Sequence, residues 1–268
     1  MYTKQDIKAQ LKTLGVRTDG ITLVHTSLRS VGKLEDGGIT LLDALVEYFT
    51  EGGGLLCVPT HTWDNLGKSK PTLDLTLSES NLGTFTELAA ADERGIRSEN
   101  PTHSMAVFGD RERALAFITD DTHVTTPTAP KSCYGKLYEM GGSVLLIGVS
   151  HNKNTYLHCV DEMLGTPNRM DDKYITVTVR RKDGTLVERP FALYLTDYTE
   201  DISWRFHKYE TAFRYHGCIR DGFIGDAPTQ LADARGMKNV IELIQSRSGG
   251  KDPLADEEPI SPILYVNK

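Results

Sequence analysis

The sequence predicts an α/β fold: a three-layer α/β/α sandwich with a largely parallel central sheet and a small added antiparallel sheet. Three observations predict it. Short apolar runs alternate with helical patterns, glycine clusters separate the two, and an Asp-Gly turn between β-branched runs sits outside that rhythm.

Taken in order, Ile7, Leu11 and Leu14 recur at helical spacing after Thr3, a residue able to cap, and predict an entry helix. Ile21–Val24 reads as a strand running into a hydroxyl-rich loop, His25 to Gly32. A helical pattern through Leu41, Leu42, Leu45, Val46 and Phe49 then stops at Gly52-Gly53-Gly54, and Leu55–Val58 resumes as a buried strand. This strand–helix–strand unit predicts parallel pairing, with ligand loops at the carboxyl ends of the strands. A helix from Gly83 to Arg94, a strand at Met105–Phe108, a helix at Arg111–Ile118 and a strand over Ser143–Val149 continue the pattern. A helix follows over 154–164, with Asn154 as its candidate cap and Gly165 and Pro167 as its stop. Runs at 174–179 and 186–193 flank Lys182-Asp183-Gly184, so residues 172–195 read as a hairpin appendage to one domain spanning 1–268. Residues 201–214 and 236–247 carry helical patterns, and Ile263–Val266 reads as a last strand.

Composition narrows the function classes. With 37 acidic against 30 basic residues the net charge is −7, the wrong sign for a general nucleic-acid binder. The most apolar stretch, Met140–Val149, falls short of the roughly 20 residues that cross a bilayer. A polar N-terminus without a signal-peptide core predicts a cytoplasmic protein that engages no membrane. Cys57, Cys133, Cys159 and Cys218 are scattered without zinc-finger spacing, and no metal is expected. Walker A, GxGxxG, HExxH and GxSxG motifs are absent. A homodimer is compatible with the chain, but nothing in the sequence specifies one.

His158 carries the strongest chemical signal. It lies on a predicted helix after the strongest strand, with Asp161 at i+3 and Glu162 at i+4, so either carboxylate could share its face and orient it as a base. His25, His61 and His103 stand at strand ends among hydroxyls, and no spacing supports a metal site there. The loops 26–32 and 125–136 combine hydroxyls with Arg29, the adjoining Lys33, Lys131 and Lys136, a composition able to hold phosphates. Cys133, in the second loop, is the better thiol nucleophile, because Cys159 and His158 are helical neighbours that point about 100° apart. Asp64, Asp171, Asp172 and Glu210 are candidate receivers of a cationic ligand.

Val24-His-Thr-Ser-Leu-Arg-Ser-Val-Gly32, Asn100-Pro-Thr-His-Ser104, Lys131-Ser-Cys-Tyr-Gly-Lys-Leu137, Leu145–Gly148 and Asn154-Thr-Tyr-Leu-His158 occur in one order. Together they resemble the aminoglycoside 3-N-acetyltransferase family. The resemblance implies acetyl-CoA as co-substrate and a small cationic amine, the 3-amino group of an aminoglycoside antibiotic, as acceptor. It implies His158 as general base, with Asp161 or Glu162 orienting it. It associates Thr26, Ser27, Leu28, Arg29, Ser30, Val31, Thr102, Lys131, Ser132 and Lys136 with CoA. The rivals are a ping-pong acyltransferase or thioesterase acting through Cys133, and a non-catalytic CoA-binding protein.

Overall fold

The computed structural model describes residues 1–64, 72–77, 79–195 and 201–266. In chain order the elements are α1 (Lys4–Leu14), β1 (Ile21–Thr26), α2 (Gly38–Glu51), β2 (Leu55–Pro59), β3 (Thr72–Asp74) and α3 (Thr84–Ala91). Next come β4 (Ile96–Arg97), β5 (Met105–Phe108), α4 (Arg111–Ile118), α5 (Cys133–Glu139), β6 (Ser143–Ile147) and α6 (Tyr156–Leu164). The chain continues with β7 (Met170–Arg180), β8 (Leu186–Tyr194), α7 (Glu210–Tyr215), β9 (Ile219–Ile224), β10 (Ala227–Asp233) and α8 (Ala234–Arg247).

A seven-stranded sheet runs in the order β4-β5-β2-β1-β6-β10-β9. Its centre is parallel: β1 pairs with β2 and with β6, placing His25 opposite Leu146 and Thr26 opposite Ile147. The flanking strands are antiparallel. β1 is buried along nearly its whole length, which is why it reads as a continuous apolar run rather than an alternating one. One face, through Leu23, Cys57, Val107 and Leu146, packs on α4, α5, α6, α7 and α8; the other, through Val24, Leu56, Ala106 and Leu145, packs on α1, α2 and α3. These are the three layers the sequence predicts. Thr3 caps α1 in a reciprocal box with Asp6, as its position suggests.

The small sheet has the order β3-β7-β8, with β7 and β8 forming the expected hairpin and β3 adding a parallel edge. Between Met170 and Tyr174 the register shifts, so β7 spends more residues than β8 over the same stretch. Three expectations change. Residues 202–209 form a 3₁₀ helix before α7 rather than one continuous helix from 201. Pro262–Leu264 is a 3₁₀ turn, not a strand, since the N–H groups of Leu264, Tyr265 and Val266 are spent locally on Ser261 O and Pro262 O. The β9–β10 hairpin is an addition that the sequence pattern does not predict, because Arg220 and Asp221 interrupt its apolar run.

Among the described residues, no helix is long and apolar enough to cross a membrane.

Candidate active site

The parallel strands end around a cavity of about 680 Å³. β1 delivers His25 and Thr26 to it, and the chain beyond β2 delivers His61 and Trp63. Thr102 and His103 reach it from the turn before β5, and Asn154, Thr155 and His158 from the start of α6. Tyr194 enters from the end of β8, and Asp201 and Trp204 from the 3₁₀ helix and its cap.

Local chemistry explains the motifs that meet here. Asn100 Oδ1 accepts from the backbone N–H groups of Thr102 (3.2 Å) and His103 (2.9 Å), while its amide donates to Pro127 O at 2.8 Å. The Asn-Pro-Thr-His turn is thereby fixed to the 123–132 loop. Ser27 N–H donates to Ile147 O at 2.9 Å, laying the 27–31 loop on the end of β6. There Gly148 adopts φ +64°, and a Cβ would come within 2.5 Å of Ser30 Cβ. Glycine is also required at 135, where a Cβ would meet Pro130 O at 1.8 Å.

His158 is 8% exposed. Its ring is stacked on Tyr194 (centroids 4.4 Å apart, planes at 19°) and meets Phe206 edge-on at 4.8 Å. Burial pushes its pKa down to about 4; the Asp201 carboxylate opposes that shift and Arg169 adds to it. The imidazole is therefore neutral at pH 7 and free to accept a proton. His25 and His103 are pushed down to about 3 and His61 well below its ordinary value, burial being the main cause in each case. His61 Nε2 shares a 2.8 Å hydrogen bond with Tyr134 Oη, and His103 Nδ1 shares one of 2.8 Å with Thr102 Oγ1. His25 Nε2, Thr26 Oγ1, His61 Nδ1 and Asn154 Oδ1 are buried without a hydrogen-bond partner among the described residues, on side chains that line the cavity. Buried polar atoms are ordinarily paired with protein, ordered water or a ligand, so these four are groups that a polar ligand in the cavity can engage. No cluster of three potential metal ligands occurs among the described residues.

Several expected site residues are engaged elsewhere. Neither carboxylate expected to orient His158 is bonded to it. Asp161 accepts from Arg169 Nε (2.9 Å) and Thr166 Oγ1 (3.0 Å), because a buried guanidinium on the next turn of chain offers it a stronger partner than a neutral imidazole. Glu162 accepts from Thr126 Oγ1 (2.5 Å), Thr128 N (3.0 Å) and Thr128 Oγ1 (2.7 Å). Of the ten residues associated with CoA, Thr26 and Thr102 line the cavity. Ser27, Leu28, Ser30 and Val31 form the turn that packs on β6, and Arg29 and Lys131 are exposed. Ser132 caps α5, and Lys136 is drawn to Asp120 (2.8 Å) and to Ala116 O (2.8 Å), facing α4. Asn154 does not cap α6; Thr155 stands at that position, and the Asn154 amide shares a hydrogen bond with His151 Nδ1 at 3.1 Å.

The alternative nucleophile is poorly placed. The Cys133 thiol is fully buried, donates to Asp121 Oδ2 at 3.2 Å, and has its pKa raised by burial and by that carboxylate. Of the candidate acids, Asp64 sits beside Trp63 and accepts from Asn81 Nδ2, while Glu210 pairs with Arg214. Asp171 accepts from the Lys173 N–H, and Asp172 is exposed; neither lines the cavity.

Sequence reasoning did not single out Tyr194, Thr128, Asp201 or the two tryptophans. Asp201 carried one signal, an Asp-x-Ser start to a helical run, which marks a cap rather than a cavity wall. Lys153 lies over the Trp204 ring at 4.6 Å, a cation–π contact at the cavity's edge.

A family profile described as aminoglycoside 3-N-acetyltransferase matches residues 23–244. Aminoglycoside N(3)-acetyltransferase IV from a Salmonella species is 28% identical over 257 residues, covering 94% of this chain and 89% of that protein. A solved structure of AAC-IIIb in binary complex with CoASH superimposes with a TM-score of 0.78 at 25% identity, covering 94% of this chain and 99% of that one. A structure of aminoglycoside acetyltransferase AAC(3)-IVa, a histidine-to-alanine mutant in complex with a gentamicin, gives a TM-score of 0.75 at 25% identity. It covers 100% of this chain and 92% of that one.

Proposed function

The chain belongs to the aminoglycoside 3-N-acetyltransferase family, and from that membership we propose that it transfers acetyl from acetyl-CoA to the 3-amino group of an aminoglycoside by direct attack, with His158 as general base. The observation that carries this reading is the placement of His158: its imidazole stands on the wall of the cavity formed at the carboxyl ends of the parallel strands, beside Thr26 and Thr155.

The acceptor nitrogen must present a lone pair to the thioester carbonyl. As the N–C bond forms, His158 takes the proton the nitrogen sheds, and Asp201 favours the imidazolium that results. The Thr26 hydroxyl, which has no hydrogen-bond partner among the described residues, donates to the oxygen that gathers negative charge. Collapse of the intermediate breaks the C–S bond, and the CoA thiolate takes up a proton to leave as free thiol. Holding both reactants in one cavity replaces a bimolecular encounter by an effective molarity that reaches about 10⁵ M or more in well-oriented cases. Arg29 and Lys131, exposed on their loops, are cations that can reach the nucleotide phosphates, and Lys153 stands at the cavity itself.

The test is free-thiol release from acetyl-CoA across aminoglycosides with and without a 3-amino group, in the wild type and in His158→Ala. The expected result is activity confined to 3-amino acceptors and a kcat lowered about 10²-fold or more in the variant, with CoA binding kept. Near-normal turnover without the imidazole would overturn the assignment.

A further inference from the structure

The imidazole proposed as base has no carboxylate bonded to it among the described residues, yet its ring is held flat against Tyr194. The hydrogen bonds around Glu162 supply the reason. A hydroxyl has one proton to give, and Thr128 gives its own to Glu162 Oε1 at 2.7 Å. The 2.5 Å contact between Thr128 Oγ1 and Tyr194 Oη therefore has the phenol as donor. Glu162 is in turn fixed by Thr126 Oγ1 and by the Thr128 backbone N–H. The end of this chain is the Tyr194 ring, stacked on His158 with Phe206 also against the imidazole.

We propose that Tyr194 is the positioning residue of the base: Glu162 sets the His158 ring plane not by touching it but through Thr128 and the stacked phenol. This inference rests on the reading of His158 as base. It explains how Glu162, one helical turn from His158, can serve the imidazole without a hydrogen bond to it. It also couples the site to the small sheet, because Tyr194 is the last residue of β8. The same ring meets His103 edge-on at 5.4 Å, so one side chain bridges two imidazoles of the cavity wall.

Three variants test it: Tyr194→Phe removes only the hydroxyl, Thr128→Val removes its acceptor at nearly constant volume, and Tyr194→Leu removes the stack. Steady-state rates and NMR titration of the imidazole are measured in the intact protein. Tyr194→Phe should lower kcat about 10-fold with KM for both substrates little changed, the signature of a misaimed group rather than lost binding. Thr128→Val should match it, and the double variant should lose no more than either single one. In Tyr194→Leu, His158 should titrate above its position of about 4 and towards the ordinary value near 6.5, with Asp201, Arg169 and His103 still facing it. Wild-type kcat in Tyr194→Phe together with an unmoved titration, or fully additive losses in the double variant, overturns the proposal. The two readings fail separately: an active His158→Ala enzyme removes the base, whereas the ring-current shift that the stacked phenol imposes on the His158 imidazole protons, which Tyr194→Phe should alter, reports the positioning by itself.

Discussion

Replacing Asp161 by Ala separates two roles that sequence position alone allows this carboxylate. In the structure Asp161 and Arg169 are each 3% exposed at the side chain and meet at 2.9 Å. Removing one partner of such a pair costs about 3–5 kcal/mol, because the remaining charge is left desolvated. Arg169 keeps a second partner in Asp252, at 2.9 Å through Nη1 and 3.0 Å through Nη2, and Asp252 is partly exposed. The expected loss therefore lies at the low end, about 3 kcal/mol, or roughly a hundredfold in the folding equilibrium. Urea unfolding followed by the fluorescence of Trp63 and Trp204 should show a lower midpoint with an unchanged slope. A double variant, Asp161→Leu with Arg169→Met, should recover most of the loss, since well-packed apolar replacements of a buried pair are often neutral. The turnover of the folded fraction should stay within a few-fold of wild type. An unchanged midpoint with kcat reduced about 10²-fold would refute the reasoning and return Asp161 to the base.

Two further predictions concern the pH profile and the thiol. Because burial holds His158 near 4, acidification should not protonate it until well below pH 6. The acid limb of kcat/KM, corrected for the free-amine fraction of the acceptor, should fall near pH 4, and a midpoint near 6.5 would contradict the burial argument. Cys133→Ala should leave turnover intact and cost about 1–3 kcal/mol, since Asp121 loses the thiol donor but keeps the Cys133 backbone N–H at 2.9 Å. Mass spectrometry after acetyl-CoA alone should show no acetyl adduct on the wild type, and an adduct at Cys133 would revive a ping-pong route.

The central sheet was legible in the sequence because β1, β2, β5 and β6 are buried on both faces and so appear as unbroken apolar runs. The β9–β10 hairpin was not: it is an edge pair whose exposed Arg220, Asp221 and Phe223 carry no alternation. Within the site, His158 and the strand-end histidines were legible, since parallel strands fix where their carboxyl ends converge. The partners of Asp161 and Glu162 were not. Helical spacing shows that a carboxylate can face His158, but not that Arg169 and Thr128, reached through separate loops, compete for it more strongly. Tyr194 escaped notice for the same reason, because its position depends on a shift in pairing that leaves no compositional trace.

That shift gives the hairpin two ends with unequal freedom. At the inboard end a change in strand length would rotate Tyr194 off the imidazole, so insertions there should be intolerable. At the outboard end, Lys182-Asp183-Gly184 is an exposed turn with Gly184 at φ +86° and nothing within 4 Å of a Cβ built there. A peptide tag or a fluorophore attached at that tip would ride on the same two strands that carry Tyr194, giving a reporter mechanically joined to the cavity without entering it.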